Sequence, residues 1–474
     1  MFALTALKIW FPVLFLAIVG IGARFSASNP AYTAAELDHH LRISEAKFVI
    51  TENVHLPVVY EAARKNDIAH SHIFLRRDED EDENENHISL QKLLVRPFAK
   101  HASCSVMFGF DNEQMSKYTI AVLCSTSGTT GLPKVAAKSH HSLVTESEAI
   151  EDSVMKPYQV RRLLTVPFFH GFGFPLAVLS VLRFGHTTYV MRQFEQSQFL
   201  GAIDRYNITE TAMPPPLIVR FLGMPKEDCS ALRSLKLVWT GGAPLKADTQ
   251  DAALGIFGHK ARIVQVWGMT EAGWFTTFQY PERDSSGSVG RLLATYDAKV
   301  IDEHGNKVTG SEQKGEILVR GPMNMLGYHN DPESTDSTIT EDGWLRTGDL
   351  GTITEDGKIY IVDRLKDLIK LRAWQVSPAE LESRLLAHDD ILDAAVIGIP
   401  FPEEATELPR AYIVRRADSS PQKDEIKDFM MRSLAKHKVR ECQIRFCDSI
   451  PKSATGKILK KVLREAAAKE GKAC

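Results

Sequence analysis

The chain has 474 residues, 44% of them hydrophobic and 25% charged, a composition typical of a folded globular protein. That length exceeds what one hydrophobic core usually serves, so we expect at least two domains. The formal net charge of −3 argues against binding of nucleic acid, and the six scattered cysteines, with no Cys-x-x-Cys pair, argue against a zinc site and for a reducing compartment.

The first apolar stretch runs from Ile9 to Ala23 and follows Lys8. It is shorter than the ~20 residues that a membrane-spanning helix needs, and Pro12 interrupts it. We therefore predict a buried core helix, with a secretory signal or a short membrane anchor as the alternative. Because the C-terminal Gly-Lys-Ala-Cys is neither a peroxisomal nor a prenylation signal, we expect a cytoplasmic protein without stable membrane insertion.

Residues 76–87 form a charged, low-complexity run that begins Arg-Arg-Asp-Glu-Asp. A run of this composition cannot bury enough apolar surface to order itself. We therefore predict a solvated surface loop, with an acidic interaction tail as the alternative.

A buried strand is predicted from Ile120 to Cys124, and a turn rich in glycine and hydroxyl groups follows it. Glycine lets a backbone approach a ligand closely and lysine supplies a positive charge, so such a turn suits phosphate oxygens. The residue order differs from the Walker loop, which argues against an ordinary P-loop NTPase. A polar surface loop is the alternative. The turn consists of Ser125, Thr126, Ser127, Gly128, Thr129, Thr130, Gly131, Leu132, Pro133 and Lys134.

From residue 118 to residue 280, short apolar strands alternate with helical patterns, and strands at 238–242 and 263–268 end at glycines. This alternation is typical of an α/β domain with a partly parallel sheet, in which ligands bind at the carboxyl ends of strands. Between residues 296 and 362 the strands are short and separated by turns, which predicts a β-rich subdomain.

The pattern after Asp363 is helix, strand and helix. Ser377, followed by a proline and two early glutamates, is a strong helix start, and a buried strand is predicted at 394–399. A basic helix near the C-terminus follows, whose charges we interpret as a solvated face. The α/β fold class therefore divides into a large domain over 1–363 and a small α+β domain over 364–474.

Single polar residues in these elements are candidates for chemistry. Thr270 and Glu271 follow a predicted strand, where Glu271 could hold Mg²⁺ between phosphates, a helix N-terminus being the alternative. Asp349 is predicted on a tight turn, either binding ribose hydroxyls or as a plain turn aspartate. His170 lies among aromatic residues and is either a catalytic residue or a core histidine whose ring nitrogens are hydrogen-bonded. Lys457 follows a glycine on a flexible loop, from which its ammonium could stabilise developing negative charge; the alternative is an ordinary lysine of a basic tail.

Taken in order, these segments resemble the adenylate-forming superfamily of acyl-CoA synthetases, 4-coumarate–CoA ligases, firefly luciferases and peptide-synthetase adenylation domains. Leu368-Ile369-Lys370 and the text from Gln375 to Glu382 are most similar to the 4-coumarate–CoA ligase branch. The resemblance implies a large N-terminal domain of layered sheets and helices, with a β-rich subdomain, and a small mobile C-terminal domain. The matching segments are Ser125–Lys134, Pro167–Gly173, Gly241–Leu245, Gln265–Gly273, Gly315–Gly321, Gly327-Tyr328, Gly343–Asp349, Asp363–Asp367 and Pro451–Lys457.

The resemblance implies a mechanism in two steps. A carboxylate attacks the α-phosphate of Mg-ATP to give an acyl-adenylate and pyrophosphate, and a thiol then attacks the acyl carbon and releases AMP. Lys457 would bridge the carboxylate and the α-phosphate, with Thr270 and Glu271 at the α-phosphate and Mg²⁺. The other implied nucleotide-binding residues are Ser125–Lys134 at the β- and γ-phosphates, Gly242, Ala243, Pro244 and Trp267 at adenine, the adjoining Gly268 and Met269, and Asp349 and Arg364 at the ribose.

The thiol half of the reaction is implied by a second set of residues. Lys366 matches the hinge about which the small domain swings between the steps, and His170 would move to admit the thiol. The sequence departs from the family pattern here, because Arg372-Ala373 replaces the usual Lys-Gly and Gln193 stands where a lysine often binds the CoA phosphate. The residues implied at the thiol tunnel are Lys370, Arg372, Ala373 and Gln375.

Phe172, Gly241, Trp274 and Phe275 form the acid pocket that the resemblance implies. Trp274-Phe275 stand where the coumarate branch tends to have Pro-Val, and Trp267 replaces a tyrosine. Bulky rings would shorten or flatten the pocket and favour a small or planar acid. The alternative is that Trp274 packs in the core.

We interpret the chain as an AMP-forming acyl-CoA ligase that uses ATP, Mg²⁺ and CoA on a small, aromatic or medium-chain carboxylic acid. Family members carry a longer lead-in before the text that begins here near Trp10, so we expect a chain truncated at its start. The alternatives are an adenylation enzyme that loads a carrier-protein thiol or oxidises the adenylate, and a truncated, non-catalytic homologue that binds nucleotide or a protein partner.

Overall fold

A computed structural model describes residues 2–4, 9–76, 88–89, 107–126, 133–151, 154–243, 245–308, 313–371, 374–401, 406–417, 419–453 and 456–470. The chain divides into two compact units, one of Met1–Asp297 with Val319–Leu345 and one of Ala298–Leu318 with Arg346–Cys474. The predicted domain boundary after Asp363 stays a prediction.

Two sheets organise the first unit, and both are mostly parallel. In the order β17-β7-β6-β2-β1-β3-β4-β5, only the pairs that involve β7 are antiparallel. Their strands are β1 (Phe2–Leu4), β2 (Phe25–Ala27), β3 (Val49–Thr51), β4 (Ile73–Leu75), β5 (Ile88–Ser89), β6 (Ile120–Ser125), β7 (Val135–Ser139) and β17 (Gly327–Tyr328).

The second sheet has the order β14-β13-β12-β11-β10-β8-β9, and its β12–β13 and β13–β14 pairs are antiparallel. This arrangement confirms the predicted α/β class, and the strands predicted at Ile120, Val238 and Ile263 are all present. The strands are β8 (Arg161–Leu164), β9 (Thr187–Val190), β10 (Glu210–Ala212), β11 (Leu237–Gly241), β12 (Arg262–Met269), β13 (Gly273–Thr277) and β14 (Arg291–Leu292).

Helices pack on these sheets, and several of them have an apolar face at helical spacing. Phe199 and Ile203, one turn apart on α7, are buried in a core with Ile218, Phe221 and Phe257 from the two helices that follow. The helices of this unit are α1 (Trp10–Gly20), α2 (Ala34–Ile43), α3 (Leu56–Lys65), α4 (Glu113–Tyr118), α5 (His140–Ala149), a π-helix (Pro175–Leu179), α6 (Ser180–Phe184), α7 (Gln196–Tyr206), α8 (Pro215–Leu222), α9 (Ala247–Phe257) and α10 (Pro332–Thr338).

The apolar stretch after Lys8 forms helix α1, and one of its faces is part of the core. Phe11 and Phe15 meet the ring of Phe25 edge-on at centroid distances of 5.5 and 5.3 Å. The core-helix prediction is confirmed for this face, while Val13 and Leu16 on the other face are exposed. Within the described ranges, no helix is both long and apolar enough to cross a membrane.

The charged run is only partly within the described residues. Residues 77–87 lie outside them, whereas Arg76 is buried and its Nε lies 3.3 Å from Glu52 Oε1. The prediction of a solvated residue is therefore wrong for Arg76, because a buried carboxylate offers it a partner that the local sequence does not reveal.

The second unit contains a sheet in the order β15-β16-β18-β19, a β20–β21 pair and a sheet in the order β22-β23-β24. The short strands after residue 296 confirm the predicted β-rich texture. The strands are β15 (Asp297–Ile301), β16 (Gly315–Arg320), β18 (Leu345–Ile353), β19 (Ile359–Arg364), β20 (Ile369–Leu371), β21 (Trp374–Val376), β22 (Ile391–Phe401), β23 (Thr406–Arg415) and β24 (Gln443–Phe446).

Helices of the second unit follow the predicted order. Ser377 caps α11 by accepting a hydrogen bond from the Glu380 N–H, which confirms the predicted helix start. Leu381 and Leu385 of this helix are buried against β22 and β23. The helices are α11 (Pro378–Leu386), α12 (Lys423–Met431), α13 (Lys436–Val439) and α14 (Lys460–Glu470).

Candidate active site

The phosphate turn is closed at its base by backbone contacts between strands β6 and β7. The Thr126 N–H donates to the Lys134 carbonyl at 2.8 Å, and the Lys134 N–H donates to Thr126 Oγ1 at 3.1 Å. Ser125 pairs with Val135 in the antiparallel register. Ser127, Gly128, Thr129, Thr130 and Gly131, which we predict at phosphate, lie outside the described residues.

The side chain of Lys134 is held by groups from a distant part of the sequence. Its Nζ lies 5.0 Å from the centroid of the Tyr328 ring and 3.8 Å from Asp331 Oδ2, and it donates to Ser334 Oγ. Asp331 caps helix α10 by accepting the Ser334 N–H. The cation therefore stands beside an aromatic face and a helix N-terminus, about half exposed and available to an anionic ligand.

Tyr328 connects this lysine to the predicted metal ligand. Its hydroxyl donates to Glu271 Oε1 at 2.6 Å, and Glu271 is only 8% exposed. Burial, together with the neighbouring Glu271 carboxylate, raises the pKa of Tyr328 well above its usual range, so the phenol remains a donor. The sequence motif Gly327-Tyr328 marks this residue, but no local pattern indicates that it bonds to Glu271.

Glu271 lies in the turn that joins strands β12 and β13. These strands are antiparallel, with Met269 opposite Gly273, so the alternative of a helix N-terminus is excluded. The carbonyl of Glu271 accepts the Met325 N–H at 2.7 Å. Its carboxylate is thus fixed through both the backbone and Tyr328, and its second oxygen is the one left to a ligand.

The described residues fit a magnesium ion bound mainly by phosphate. They contain no group of three or more His, Cys, Asp or Glu side chains that could hold a metal. Mg²⁺ is commonly bound through one or two carboxylates together with substrate phosphates and water. Glu271 would supply the carboxylate, so the fit depends on a nucleotide being present.

Two of the predicted acid-pocket rings lie against each other. The Phe172 and Trp274 rings are nearly parallel with centroids 5.9 Å apart, and Trp274 is 2% exposed. Trp239 meets Trp274 edge-on at 6.4 Å. At Gly241 a Cβ would lie 3.5 Å from the Phe172 ring and 2.8 Å from the Val266 carbonyl, so only glycine fits. Phe172, Gly241 and Trp274 therefore form one cluster.

Phe275 lies on the other face of the same strand. Successive residues of a strand point to opposite faces, and the Phe275 ring packs against Trp267 at 4.7 Å and Tyr296 at 5.4 Å. Trp267, which we predict at adenine, is thus a ring neighbour of Phe275. The structure therefore separates Trp274 from Phe275, which the sequence predicted in one acid pocket.

His170 is half-buried in the turn that precedes the π-helix. Its Nδ1 accepts the Phe172 N–H at 3.2 Å, so the neutral ring carries its proton on Nε2. The His170 carbonyl accepts the N–H groups of Gly173 and Phe174. These bonds fix both the ring and the backbone that carries Phe172.

The predicted adenine turn is positioned by a buried glutamine that the sequence did not single out. Gln265 accepts the Leu245 N–H at 2.9 Å and donates to the Leu245 carbonyl at 2.9 Å. Gly242 is exposed with φ +82°, a conformation that favours glycine, and Ala243 is half-buried. Pro244 lies outside the described residues.

Within the second unit, Asp349 and Arg364 form an ion pair across β18 and β19. Asp349 is buried, and its Oδ1 lies 3.0 Å from Arg364 Nε. The prediction of a tight turn at Asp349 is wrong, because this residue continues strand β18. Gly348 has φ +67° and donates its N–H to Glu316, which kinks the strand without ending it.

Lys457 lies in a turn of the same unit and has a perturbed pKa. The Lys457 carbonyl accepts the Ser453 N–H at 2.8 Å. Burial, with the charges of Arg364 and Lys366, lowers the pKa of Lys457 to about 8, against the opposing effect of Asp349 and Asp367. The structure therefore brings Lys457, Arg364, Lys366 and Asp349 into one electrostatic cluster.

The predicted thiol-tunnel residues lie on the β20–β21 pair of the second unit. Lys370 is exposed, pairs in register with Gln375, and donates its backbone N–H to Glu407. Arg372 and Ala373 lie outside the described residues. Gln193 is exposed in the first unit.

Comparison with family models identifies two matching regions. Residues 7–329 match the model of the AMP-binding enzymes, and residues 380–457 match that of the AMP-binding enzyme C-terminal domain. Together these regions span most of the chain.

Curated relatives and solved structures agree with these matches. The chain is 39% identical to phenylacetyl-CoA ligase epaB of Aspergillus niger, over 96% of this chain and 85% of that protein. It is 34% identical to nicotinic acid-CoA ligase olcI of Penicillium canescens, over 94% and 83%. The crystal structure of ATP-bound MatB from Rhodopseudomonas palustris is 29% identical with a TM-score of 0.83, covering 98% of this chain and 88% of that one.

Proposed function

The chain belongs to the family of AMP-binding enzymes, and from that premise we propose that it is an AMP-forming acyl-CoA ligase. It activates a small, aromatic or medium-chain carboxylic acid with ATP and transfers the acyl group to CoA. The observation that carries the proposal is the chain of contacts from Lys134 through Tyr328 to Glu271, in a protein whose similar relatives are acyl-CoA ligases.

In the first step an oxygen of the acid attacks the α-phosphorus of ATP, and the bond from that phosphorus to the bridging oxygen breaks to release pyrophosphate. Lys134 and the turn before it would bind the departing phosphates, while Thr270 would donate to the α-phosphate. Glu271 would hold Mg²⁺ through the oxygen that Tyr328 leaves free. Mg²⁺, when bound, neutralises phosphate charge, and the protein residues contribute orientation.

The ion pair of the second unit would position the nucleoside. Asp349 has oxygens to accept ribose hydroxyls, and Arg364 would orient the Asp349 carboxylate. Lys457 would place its ammonium between the acid and the α-phosphate, where negative charge develops. Its pKa of about 8 makes this role sensitive to pH.

In the second step the CoA sulfur attacks the acyl carbon, and the bond to AMP breaks. We propose Lys370, Arg372, Ala373 and Gln375 at the thiol tunnel, Lys366 as the hinge, and His170 as the residue that moves to admit the thiol. The exposed side chains of Lys366 and Lys370 are compatible with these roles.

The acid would lie against the cluster of Phe172, Gly241 and Trp274. The buried Trp274 ring backs the Phe172 ring, and Gly241 leaves no room for a side chain, so the pocket would be shallow, which favours a planar acid over a long chain. Phe275, on the opposite face of strand β13, would contribute by packing against Trp267 and not by contacting the acid directly.

The proposed location is the cytoplasm, because helix α1 packs one face into the core as an internal helix does. A relative from Arabidopsis thaliana, 34% identical over 98% of this chain, is a peroxisomal OPC-8:0-CoA ligase. Fluorescence microscopy would test this location with two fusion proteins, one labelled at the N-terminus and one at the C-terminus, so that each end is free in one of them. Punctate fluorescence coincident with a peroxisomal marker would contradict the proposal.

The test of the proposed function is acid-dependent ATP–pyrophosphate exchange. We expect exchange with at least one acid in a panel of aromatic, short-chain and medium-chain acids, and release of AMP when CoA is added. Exchange without CoA-dependent AMP release would favour loading of a carrier thiol. ATP binding without exchange for any acid would favour a non-catalytic homologue.

A further inference from the structure

A buried ion pair lies beneath the turn that carries Glu271. Lys138 Nζ, from strand β7, lies 2.8 Å from Glu146 Oε2 on helix α5, and the two side chains are 4% and 2% exposed. Replacing a buried ion pair by apolar residues is often neutral or stabilising, so stability alone does not explain it. Neither residue belongs to a segment for which the sequence predicts a role.

Lys138 also contacts the turn directly. Its Nζ donates to the carbonyl of Ala272, the residue after Glu271, at 3.3 Å. The Tyr296 hydroxyl donates to the same carbonyl at 3.2 Å, and burial raises the pKa of Tyr296, so it stays a donor. One carbonyl thus accepts two hydrogen bonds from buried groups.

Glu146 supports the next residue of the turn. A Cβ at Gly273 would lie 2.2 Å from Glu146 Oε1, and Gly273 has φ +92°, so the backbone can rest on the carboxylate only because this residue is glycine. Lys138, Glu146, Gly273 and Thr270 also line one small cavity, which places the pair next to the predicted α-phosphate ligand.

We propose that Lys138 and Glu146 are positioning residues for Glu271 and thereby set the affinity of the site for Mg-ATP. The proposal rests on the proposed function, in that Glu271 is the carboxylate for Mg²⁺. Met325 fixes the Glu271 carbonyl and Tyr328 its carboxylate, and the pair fixes the peptide that follows. Without the pair, the Ala272 carbonyl loses a donor and the Glu271 backbone can rotate.

The test removes both charges together, so that neither is left buried and unpaired. The double variant Lys138→Met with Glu146→Met places unbranched side chains that fill irregular space. The readout is the dissociation constant of ATP with and without Mg²⁺, measured by calorimetry, beside the Mg²⁺ dependence of pyrophosphate exchange. We expect a thermal midpoint near that of the unchanged protein. We also expect the gain in ATP affinity from Mg²⁺ to fall by about 10- to 100-fold, as for other residues that orient a metal ligand.

A matched control is Lys156→Met, which removes a cation of similar burial whose ion pairs are with Glu210 at 2.6 Å and Glu151 at 3.9 Å. We expect this variant to lower the thermal midpoint and to keep the Mg²⁺-dependent gain. Retention of the full gain by the double variant, or its equal loss in the control, would overturn the proposal. If the unchanged protein binds ATP more tightly with Mg²⁺ yet catalyses pyrophosphate exchange with no acid, the proposed ligase function is refuted. If the double variant then loses that gain in affinity, the positioning role is still supported.

Discussion

Lys457 illustrates how single side chains set the conditions under which this protein can work. Its ammonium is half-buried beside Arg364 and Lys366, so the charged form is disfavoured and the pKa falls to about 8. A group with a lowered pKa is protonated below that value and neutral above it. The proton is therefore lost just above physiological pH, where an ordinary lysine would keep it.

We predict that kcat/KM for ATP in the exchange reaction falls above about pH 8, by about tenfold per pH unit, because only the ammonium can bridge two anions. In Lys457→Arg, whose guanidinium stays charged, this descending limb should be absent. In Lys366→Met, which removes a neighbouring positive charge, it should move to higher pH. If the descending limb of the pH profile stays at the same pH in both variants, the limb reflects the titration of a group other than Lys457.

Residues for which the sequence predicts no role also matter at the scale of single side chains. Tyr328, Gln265 and Lys138 each satisfy a carboxylate or a carbonyl in a predicted binding segment. Their partners are Glu271, Leu245 and Ala272, and even the shortest of these separations along the chain, from Gln265 to Leu245, is 20 residues. A tyrosine or a lysine carries no local mark of such a role.

At the scale of elements, the β12–β13 hairpin decides what the bulky pair Trp274-Phe275 can do. Strand geometry sends the two rings to opposite faces, Trp274 to Phe172 and Phe275 to Trp267. The sequence indicated that both rings crowd one pocket. In the hairpin, the two rings instead contact different residues on opposite faces of strand β13.

This separation predicts different kinetics for two substitutions in one strand. Trp274→Val should shift kcat/KM from benzoate toward longer acids by at least about tenfold, since it removes the buried ring behind Phe172 and deepens the pocket, and should leave the KM for ATP unchanged. Phe275→Leu is the matched control and should leave acid preference unchanged. Exchange rates for an acid series, with thermal midpoints to confirm folding, would measure both, and equal shifts in acid preference would contradict the assignment.

Strand β6 and the helix that begins after Ser377 were predictable because their signals are local. An apolar run before a glycine-rich turn, or a serine followed by proline and glutamate, acts within a few residues. Asp349 was wrongly predicted on a turn for the same reason. The Glu316 carboxylate, distant in sequence, binds the Gly348 N–H and keeps the segment in a strand.

At the scale of the whole molecule, the proposed function assigns the two half-reactions to different residues of the second unit. Lys457 would act when the adenylate forms, whereas Lys370 and its neighbours would act when the thiol attacks. The two groups lie on separate elements of that unit, a turn before α14 and the β20–β21 pair.

We therefore predict that Lys457→Ala lowers pyrophosphate exchange by about 100- to 1000-fold, the usual cost of removing one donor to developing charge. Thiolysis of a supplied acyl-adenylate by CoA should stay within severalfold of the unchanged protein. Rapid-quench assays of each half-reaction would measure both rates. Equal loss of both would show that the lysine serves the whole site and not one step.

The fold class, the order of the elements and the family could be inferred from the chain alone, because strand and helix periods and glycine-rich turns depend on neighbouring residues. The chain alone also indicated most candidate side chains. The partners that surround these side chains and their turns follow only from the folded structure: Asp331 beside Lys134, Tyr328 beside Glu271, and Lys138 beside the Ala272 carbonyl. The physical reason is that hydrogen bonds and ion pairs depend on distance in space, and the sheets bring together residues that the chain keeps far apart.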